Sequence, residues 1–450
     1  MNDKTIEIFR NAPVPKAVLS NVIPSVVSML MVLVYNLADT FFIGQTKNAY
    51  MVASVSVATP AFLIFMAIGM LFGIGGTSLI SRKLGEGDYK KAKQASSFCF
   101  WTGISIGTVA CILMFIFSKQ ISMLVGASKE TVGYASQYLQ IVSICIPFMI
   151  LSNSFSNIIR AEGQAKVAMS GMVIGNLINI VLDPIMILYL GWNVAGAAIA
   201  TVFGNLFSAG IYIYHIVRKS DLLSINIKDY NAGNGVASGI FAIGIPASIN
   251  SILMSTSNIL INNMMASYSD MAVAGLGVAM KVNMLVVMLL IGIGTGIQPL
   301  LGYCYGARNR KRYLDVLKFS LLLAFGTSMV MTCICYFGAQ TLVTAFLDNA
   351  DAFEYGFSFS RILIYSGPIL GILFVFINAI QSLGAAGPAL ILNVSRQGLV
   401  YIPLLFIIKK VFDTPYMLTA TQPITDYFSV VLAIVLFVIS FKKYFKKETV

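Results

Sequence analysis

Two carboxylates, Asp39 and Asp183, stand in stretches of sequence that otherwise hold almost no charge. An ionisable group at membrane depth costs at least about 2.5 kcal/mol on insertion scales, so it normally faces a partner or a wet cavity and marks an ion path. Asn36 and Asp39 are spaced i, i+3, while Asn176, Asn179 and Asp183 fall at i, i+3, i+7, which puts each set on one helix face. Counted from the outer ends of their apolar stretches, both acids lie ~8 to 10 Å deep, and Tyr138 and Thr201 reach a similar depth. Asp39, Asp183, Asn179, Asn176, Asn36, Thr201 and Tyr138 are therefore the candidate cation-coupling residues. Such a cluster can hold a proton, because burial and a neighbouring like charge both penalise the ionised carboxylate. It can instead hold Na⁺ through oxygens of Asp39, Asn179, Asp183 and Thr201, as hard cations prefer. Asp183 precedes Pro184, whose missing N–H makes that helix easy to bend.

A second group of polar residues lies in the other half of the chain: Asn250, Asn258, Asn262, Asn263, Lys281, Asn283, Arg396 and Gln397. Met280, Met284 and Met288 repeat at i, i+4, i+8, and flexible methionines suit a surface that accepts many apolar shapes, although plain packing explains the same stripe. Met280, Met284, Asn258, Lys281, Arg396 and Gln397 are the candidate substrate-cavity residues. No acid is expected inside the membrane in this half.

The elements that must carry these residues follow from composition. Of 450 residues, 58% are hydrophobic and 11% charged, whereas about a quarter are charged in an ordinary soluble domain. Apolar stretches of about 20 residues recur, each long enough to cross a ~30 Å hydrocarbon layer as a helix. Twelve are expected, at 17–44, 52–80, 95–118, 132–159, 167–190, 194–217, 237–264, 271–300, 313–337, 357–381, 387–409 and 424–441. Runs such as Leu285 to Ile291 do not alternate, which argues against a closed barrel.

The net charge of +12 suggests nucleic acid only until topology is considered. With a cytoplasmic N-terminus, 22 of the 30 Lys and Arg fall on the inner side, and an even helix number returns the C-terminus there. Lys47, Lys119, Lys129, Lys409 and Lys410 fall outside, and Lys281, Arg361 and Arg396 within spans. No removable signal peptide is expected before the first span. The six cysteines sit in or beside apolar spans, which argues against a disulfide framework. His215, the lone histidine, is read as an interfacial residue near the inner end of span six. No Ser–His pair, metal cluster or nucleotide motif is found, so neither an enzyme nor an ATP-driven pump is expected.

The chain repeats itself. Pro24 and Pro246, and Asn36 and Asn258, stand 222 residues apart. Gly73 and Gly294, Gly85 and Gly306, Asn157 and Asn378, and Gly163 and Gly384 stand 221 apart. A six-helix unit is thus duplicated, and because six is even the repeats are parallel. The expected organisation is an N-lobe at 1–218, a cytoplasmic linker at 219–236 and a C-lobe at 237–450. The places of Asp39 and Asp183 are held by Ile261 and Leu404 in the second copy.

Several segments in this order carry a family likeness: Asn36-Leu37-Ala38-Asp39-Thr40-Phe41-Phe42-Ile43-Gly44, Ser81-Arg82-Lys83-Leu84-Gly85, Arg160-Ala161-Glu162-Gly163, Asn179 to Pro184, Gly196 to Thr201, Gln298-Pro299-Leu300-Leu301-Gly302 and Ser395-Arg396-Gln397. The chain resembles the multidrug and toxic compound extrusion (MATE) family over essentially its whole length. The resemblance implies an all-α, twelve-helix membrane protein of two six-helix bundles, V-shaped around a central cavity. It implies export of cationic or amphipathic compounds by alternating access in exchange for H⁺ or Na⁺, with no other cofactor. In members with an acidic N-lobe, the coupling site is similar to the set carried here by Asp39, Asn179, Asp183 and Thr201, with Asn176 and Tyr138 nearby. A flippase for lipids or lipid-linked sugars is the alternative. The expected setting is a bacterial or archaeal cytoplasmic membrane, with both termini cytoplasmic, the bilayer and small molecules as partners, and no obligate protein partner.

Overall fold

The computed structural model describes residues 4–44, 49–124, 131–347 and 349–446, apart from the side chains of 4–5, 40, 43–44, 49–62 and 446. Lys47, Lys129 and Lys447, which enter the topology count, lie outside the described residues, as do the side chains of Thr40 and Ile43. Among the described residues there are helices and no strand. The long elements are α1 (Val14–Gly44), α2 (Ala49–Glu86), α3 (Tyr89–Ile116), α4 (Val132–Ala161), α5 (Ala165–Asp183, continued by a π turn Pro184–Tyr189) and α6 (Asn193–Arg218). They are followed by α7 (Val236–Ala266), α8 (Asp270–Gly306) and α9 (Arg310–Thr344). The last are α10 (Ala350–Ile364 with Gly367–Ser382), α11 (Ala386–Val394, a π turn Ser395–Leu399, then Tyr401–Val411) and α12 (Pro415–Lys446). By length and composition eleven of the described helices can cross a membrane, or twelve with the bent pair of α10 counted as one.

Side-chain caps start several of these helices where the sequence turns polar. Asp88 accepts from Lys91 N at 3.1 Å, Ser269 from Ala272 N at 3.0 Å and Asn309 from Arg312 N at 2.9 Å. Each satisfies an N–H that the first turn leaves without a helical partner.

Two expectations about spans need correction. The tenth span is not one straight helix over 357–381: its two parts meet at 50°, because Pro368 at the start of the second part has no N–H to continue the ladder. The twelfth does not begin at 424, just past Pro423. It begins at Pro415 and carries Pro423 inside, which moves Asp426 about three turns into the helix. Asp426 is 1% exposed. The second half therefore does hold a buried acid within a helix long and apolar enough to cross the membrane.

By contacts the chain forms two compact units, Met1–Asn11 with Val27–Gly244, and Ala12–Val26 with Ile245–Val450. In the first unit, Gly73 on α2 faces Asn157 on α4, and an added Cβ would stand 3.0 Å from Asn157 Nδ2. In the second, a Cβ on Gly294 of α8 would collide with Nδ2 of Asn378 on α10. The repeated landmarks are thus partners within each copy, with glycine where two helices touch.

Four interhelical turns repeat as well. Asp88 N donates to Lys83 O, Gln164 N to Ile159 O, Asn309 N to Cys304 O and Ala385 N to Ile380 O, closing four helices with the same six-residue hydrogen bond. The left-handed residue is Gly87 (φ 78°), Gly163 (85°) and Gly384 (70°) in three of them, but Arg308 (56°) in the fourth. A non-glycine residue there costs about 1 kcal/mol. Arg308→Gly is expected to stabilise the protein by roughly 0.5–1 kcal/mol, read as a small rise in thermal midpoint in detergent; a fall would show that the arginine side chain outweighs the strain.

Candidate functional site

The first unit encloses a cavity of about 290 Å³ lined by residues of α1, α2, α4, α5 and α6. Six of the seven candidate coupling residues line it: Asn36, Asp39, Tyr138, Asn176, Asn179 and Thr201. The seventh, Asp183, lies behind Asn179 and is fully buried, at 0% exposed.

Close crossing of α5 and α6 builds this arrangement. A Cβ on Gly204 would stand 2.7 Å from Gly175 O and 3.3 Å from Asn179 Cβ, so the two backbones touch. Ser208 Oγ donates to Gly171 O at 2.9 Å across the same crossing. That contact sets Asn179 against Thr201. With its amide nitrogen toward Asp183 and its oxygen toward Thr201, Asn179 donates to Asp183 Oδ2 at 2.9 Å and accepts from Thr201 N at 3.0 Å. Thr201 Oγ1 donates to Ala197 O at 3.0 Å.

Asp183 Oδ1 is buried and has no hydrogen-bond partner among the described residues, and the same holds for Asn176 Nδ2. Asp39, half-buried on α1, is close enough to interact electrostatically with Asp183. The two acids expected at equal depth thus stand within electrostatic reach of one another. Tyr35, one helical turn from Asp39 on α1, also lines the cavity, reaches the Thr201 side chain and feels both carboxylates. Sequence reasoning missed Tyr35, although its i, i+4 spacing from Asp39 was the available signal. Directly after Asp183 the helix widens: Leu190 N donates to Ile185 O at 2.8 Å, an i+5 bond. Pro184 removes the N–H that an α-helical ladder needs there, and π turns of this kind recur at functional positions.

The candidate substrate-cavity residues fall on three helices of the second unit, Asn258 on α7, Met280, Lys281 and Met284 on α8, and Arg396 and Gln397 on α11. Met280 packs against the apolar cluster of Ile261, Leu276 and Phe359, which favours the plain packing reading for that residue. Met284 is half-buried, while Lys281 and Asn258 are exposed, with Lys281 Nζ 5.3 Å from the centre of the Phe346 ring. Gln397 is buried, and its carbonyl accepts from Ser257 Oγ at 2.6 Å. Arg396 is buried and its Nε donates to Asp426 Oδ1 at 3.1 Å.

His215 is buried near the C-terminal end of α6 with Nε2 against Glu162 Oε1, and Glu162 Oε2 accepts from Ser220 Oγ. A carboxylate at the end of α4 draws the ring inward, a contact between segments 53 residues apart.

Comparison with known proteins places this architecture. The MatE family model matches twice, over residues 24–185 and 246–407, two copies offset by 222 residues and opening on Pro24 and Pro246. The multidrug export protein MepA of Staphylococcus aureus (strain MSSA476) is 33% identical over 413 residues, 92% of this chain and 91% of that protein. Its counterpart in Staphylococcus haemolyticus is 31% identical over the same length. Among solved structures, a MATE in complex with MaL6 superposes with a TM-score of 0.92 at 24% identity, covering 99% of both chains. A MOP superfamily transporter from Pyrococcus furiosus gives 0.90 at 23% identity, covering 98% of both. Two copies of one family model across most of the sequence, and relatives a third identical over nine tenths of it, show that this chain belongs to the MatE family.

Proposed function

We propose that this protein is a secondary multidrug exporter that expels cationic or amphipathic compounds by alternating access, driven by entry of a cation bound at Asp39 and Asp183. The observation that carries this reading is the fully buried Asp183, held through one oxygen by Asn179, open at the other, and electrostatically coupled to Asp39. The printed names of its relatives, multidrug export proteins, support the substrate class. With both termini cytoplasmic, the site lies toward the outer face, where an inwardly directed cation arrives first.

In this reading two ionised acids in a low-dielectric cavity favour capture of a positive charge. Capture of one cation halves the charge of the cluster and lowers the penalty on closing water out, so occupied and empty states prefer different helix arrangements. The π turn after Asp183 is the place where α5 can change its hydrogen-bond register with few bonds broken. Tyr35 and Asn36 connect the same event to α1.

The geometry favours H⁺ over Na⁺ as the coupling ion. A proton can join Asp183 Oδ1 with no rearrangement, because that oxygen is free while Asn179 donates to the other. Sodium needs converging oxygens, and Asn179 would have to turn its amide over to supply one. In proteoliposomes holding the purified protein, an imposed proton gradient is expected to drive dye efflux and a sodium gradient at constant pH is not. Efflux driven by sodium alone would reverse the choice of ion, and efflux driven by neither would remove the secondary-transport reading.

A further inference from the structure

Outside the cavity of the first unit, the second unit holds a buried ion pair that the coupling mechanism does not use. Arg396 stands on the π turn of α11, where Val400 N donates to Ser395 O across an i+5 bond at 3.0 Å. Asp426 on α12 accepts from Arg396 Nε and from Gln422 Nε2, both at 3.1 Å and both on Oδ1. The Phe374 ring of α10 covers one face of the guanidinium, 5.2 Å from Cζ.

The way the pair is made is informative. Arginine in a structural pair usually meets a carboxylate through two parallel N–H groups. Here Asp426 takes only Nε, and the Nη1 and Nη2 groups make no hydrogen bond to any described residue. The side chain of Arg396 keeps 10% of its surface exposed, against 2% for Asp426. The acid is thus sealed behind the arginine while the two-pronged end of the guanidinium is left to meet something else. A buried pair of this kind is weak evidence for stability, since apolar residues of like volume serve as well. Nη1 and Nη2 are not among the buried polar atoms left without a partner, so they face open space from which an acceptor can approach.

We infer that Arg396 recognises the carboxylate of zwitterionic amphipathic substrates through its Nη1 and Nη2 groups, with Asp426 and Gln422 fixing the plane of the guanidinium. The planar fork matches a carboxylate in two parallel bonds. The substrate must be zwitterionic rather than simply anionic, because Arg396 and Asp426 already cancel and an added lone negative charge would remain uncompensated in a low dielectric. This inference rests on the efflux reading and names a substrate class for it.

A matched pair of dyes separates the two. Tetramethylrhodamine carries a free carboxylate and is zwitterionic, whereas its methyl ester is a cation of nearly the same shape. Binding of each to the purified full-length protein is read by fluorescence anisotropy, and export of each from proteoliposomes. Arg396→Met is expected to weaken zwitterion binding by about tenfold or more, the effect of losing charge-assisted bonds, and to change ester binding by less than about twofold. Because that variant leaves Asp426 unpaired, the double variant Arg396→Met with Asp426→Leu keeps the test open if the single one does not fold, and the same selective loss is expected. Equal weakening of both dyes, no weakening of the zwitterion, or a wild type that binds only the ester overturns the inference. A wild type that binds both dyes and exports neither overturns the efflux reading and leaves the binding ratio to judge Arg396.

Discussion

Asp183→Asn is expected to abolish gradient-driven export while leaving a folded, substrate-binding protein. The substitution is nearly isosteric, and an asparagine oxygen can still accept from Asn179, so the hydrogen bond along α5 survives. What disappears is the titratable charge. Removing the charge of one buried acid is worth at least about 2.5 kcal/mol at membrane depth, which corresponds to roughly 70-fold in the balance between two conformations. Export from everted vesicles should fall by about that factor, to near background, while the thermal midpoint stays level or rises, because an ionised group has been removed from a site that is 0% exposed. Coupled export at the wild-type rate would withdraw Asp183 from the mechanism. A protein that fails to fold would mean that the carboxylate serves mainly to hold helices together.

The sequence made this site legible because the same helical spacing that brings polar residues to one face also places them around one cavity. Asn176, Asn179 and Asp183 lie along α5, and Asp39, expected at the same depth, stands within electrostatic reach of Asp183. The duplicated scaffold was legible for a related reason: Gly73 and Asn157, Gly294 and Asn378 recur because each pair is a helix contact. Tertiary information was less accessible. Asp426 reads as a residue at a helix start, since Pro423 just before it resembles a boundary, yet the helix runs through that proline from Pro415. Only the fold reveals that Arg396, 30 residues away, makes its burial tolerable. The burial of His215 was equally hidden, because nothing in the local sequence announces Glu162 as its partner. The bend of α10 at Gly367 and Pro368 was readable in principle, as proline seldom continues a helix undisturbed.

The site should also fail from a position that carries no chemistry. A methyl group at Gly175 would collide with Ser208 Oγ and stand 2.5 Å from Gly204 O, where α5 and α6 touch. A hydroxyl can rotate away, but the Gly204 carbonyl is backbone and cannot yield without moving α6. Gly175→Ala is therefore expected to cost about 2–3 kcal/mol, the upper range for overpacking. The displacement it forces separates Asn179 from Thr201, so export should fall even at temperatures where the protein remains folded. Ser208→Gly on the same background would relieve only the side-chain clash, and recovery should be partial. Gly210 on α6 has nothing within 4 Å of an added Cβ, so Gly210→Ala should be neutral in both thermal midpoint and vesicle export. If Gly175→Ala behaves like Gly210→Ala, the close crossing does not hold the coupling residues in place. The cavity would then owe its shape to the hydrogen bonds of Asn179 and Ser208 alone.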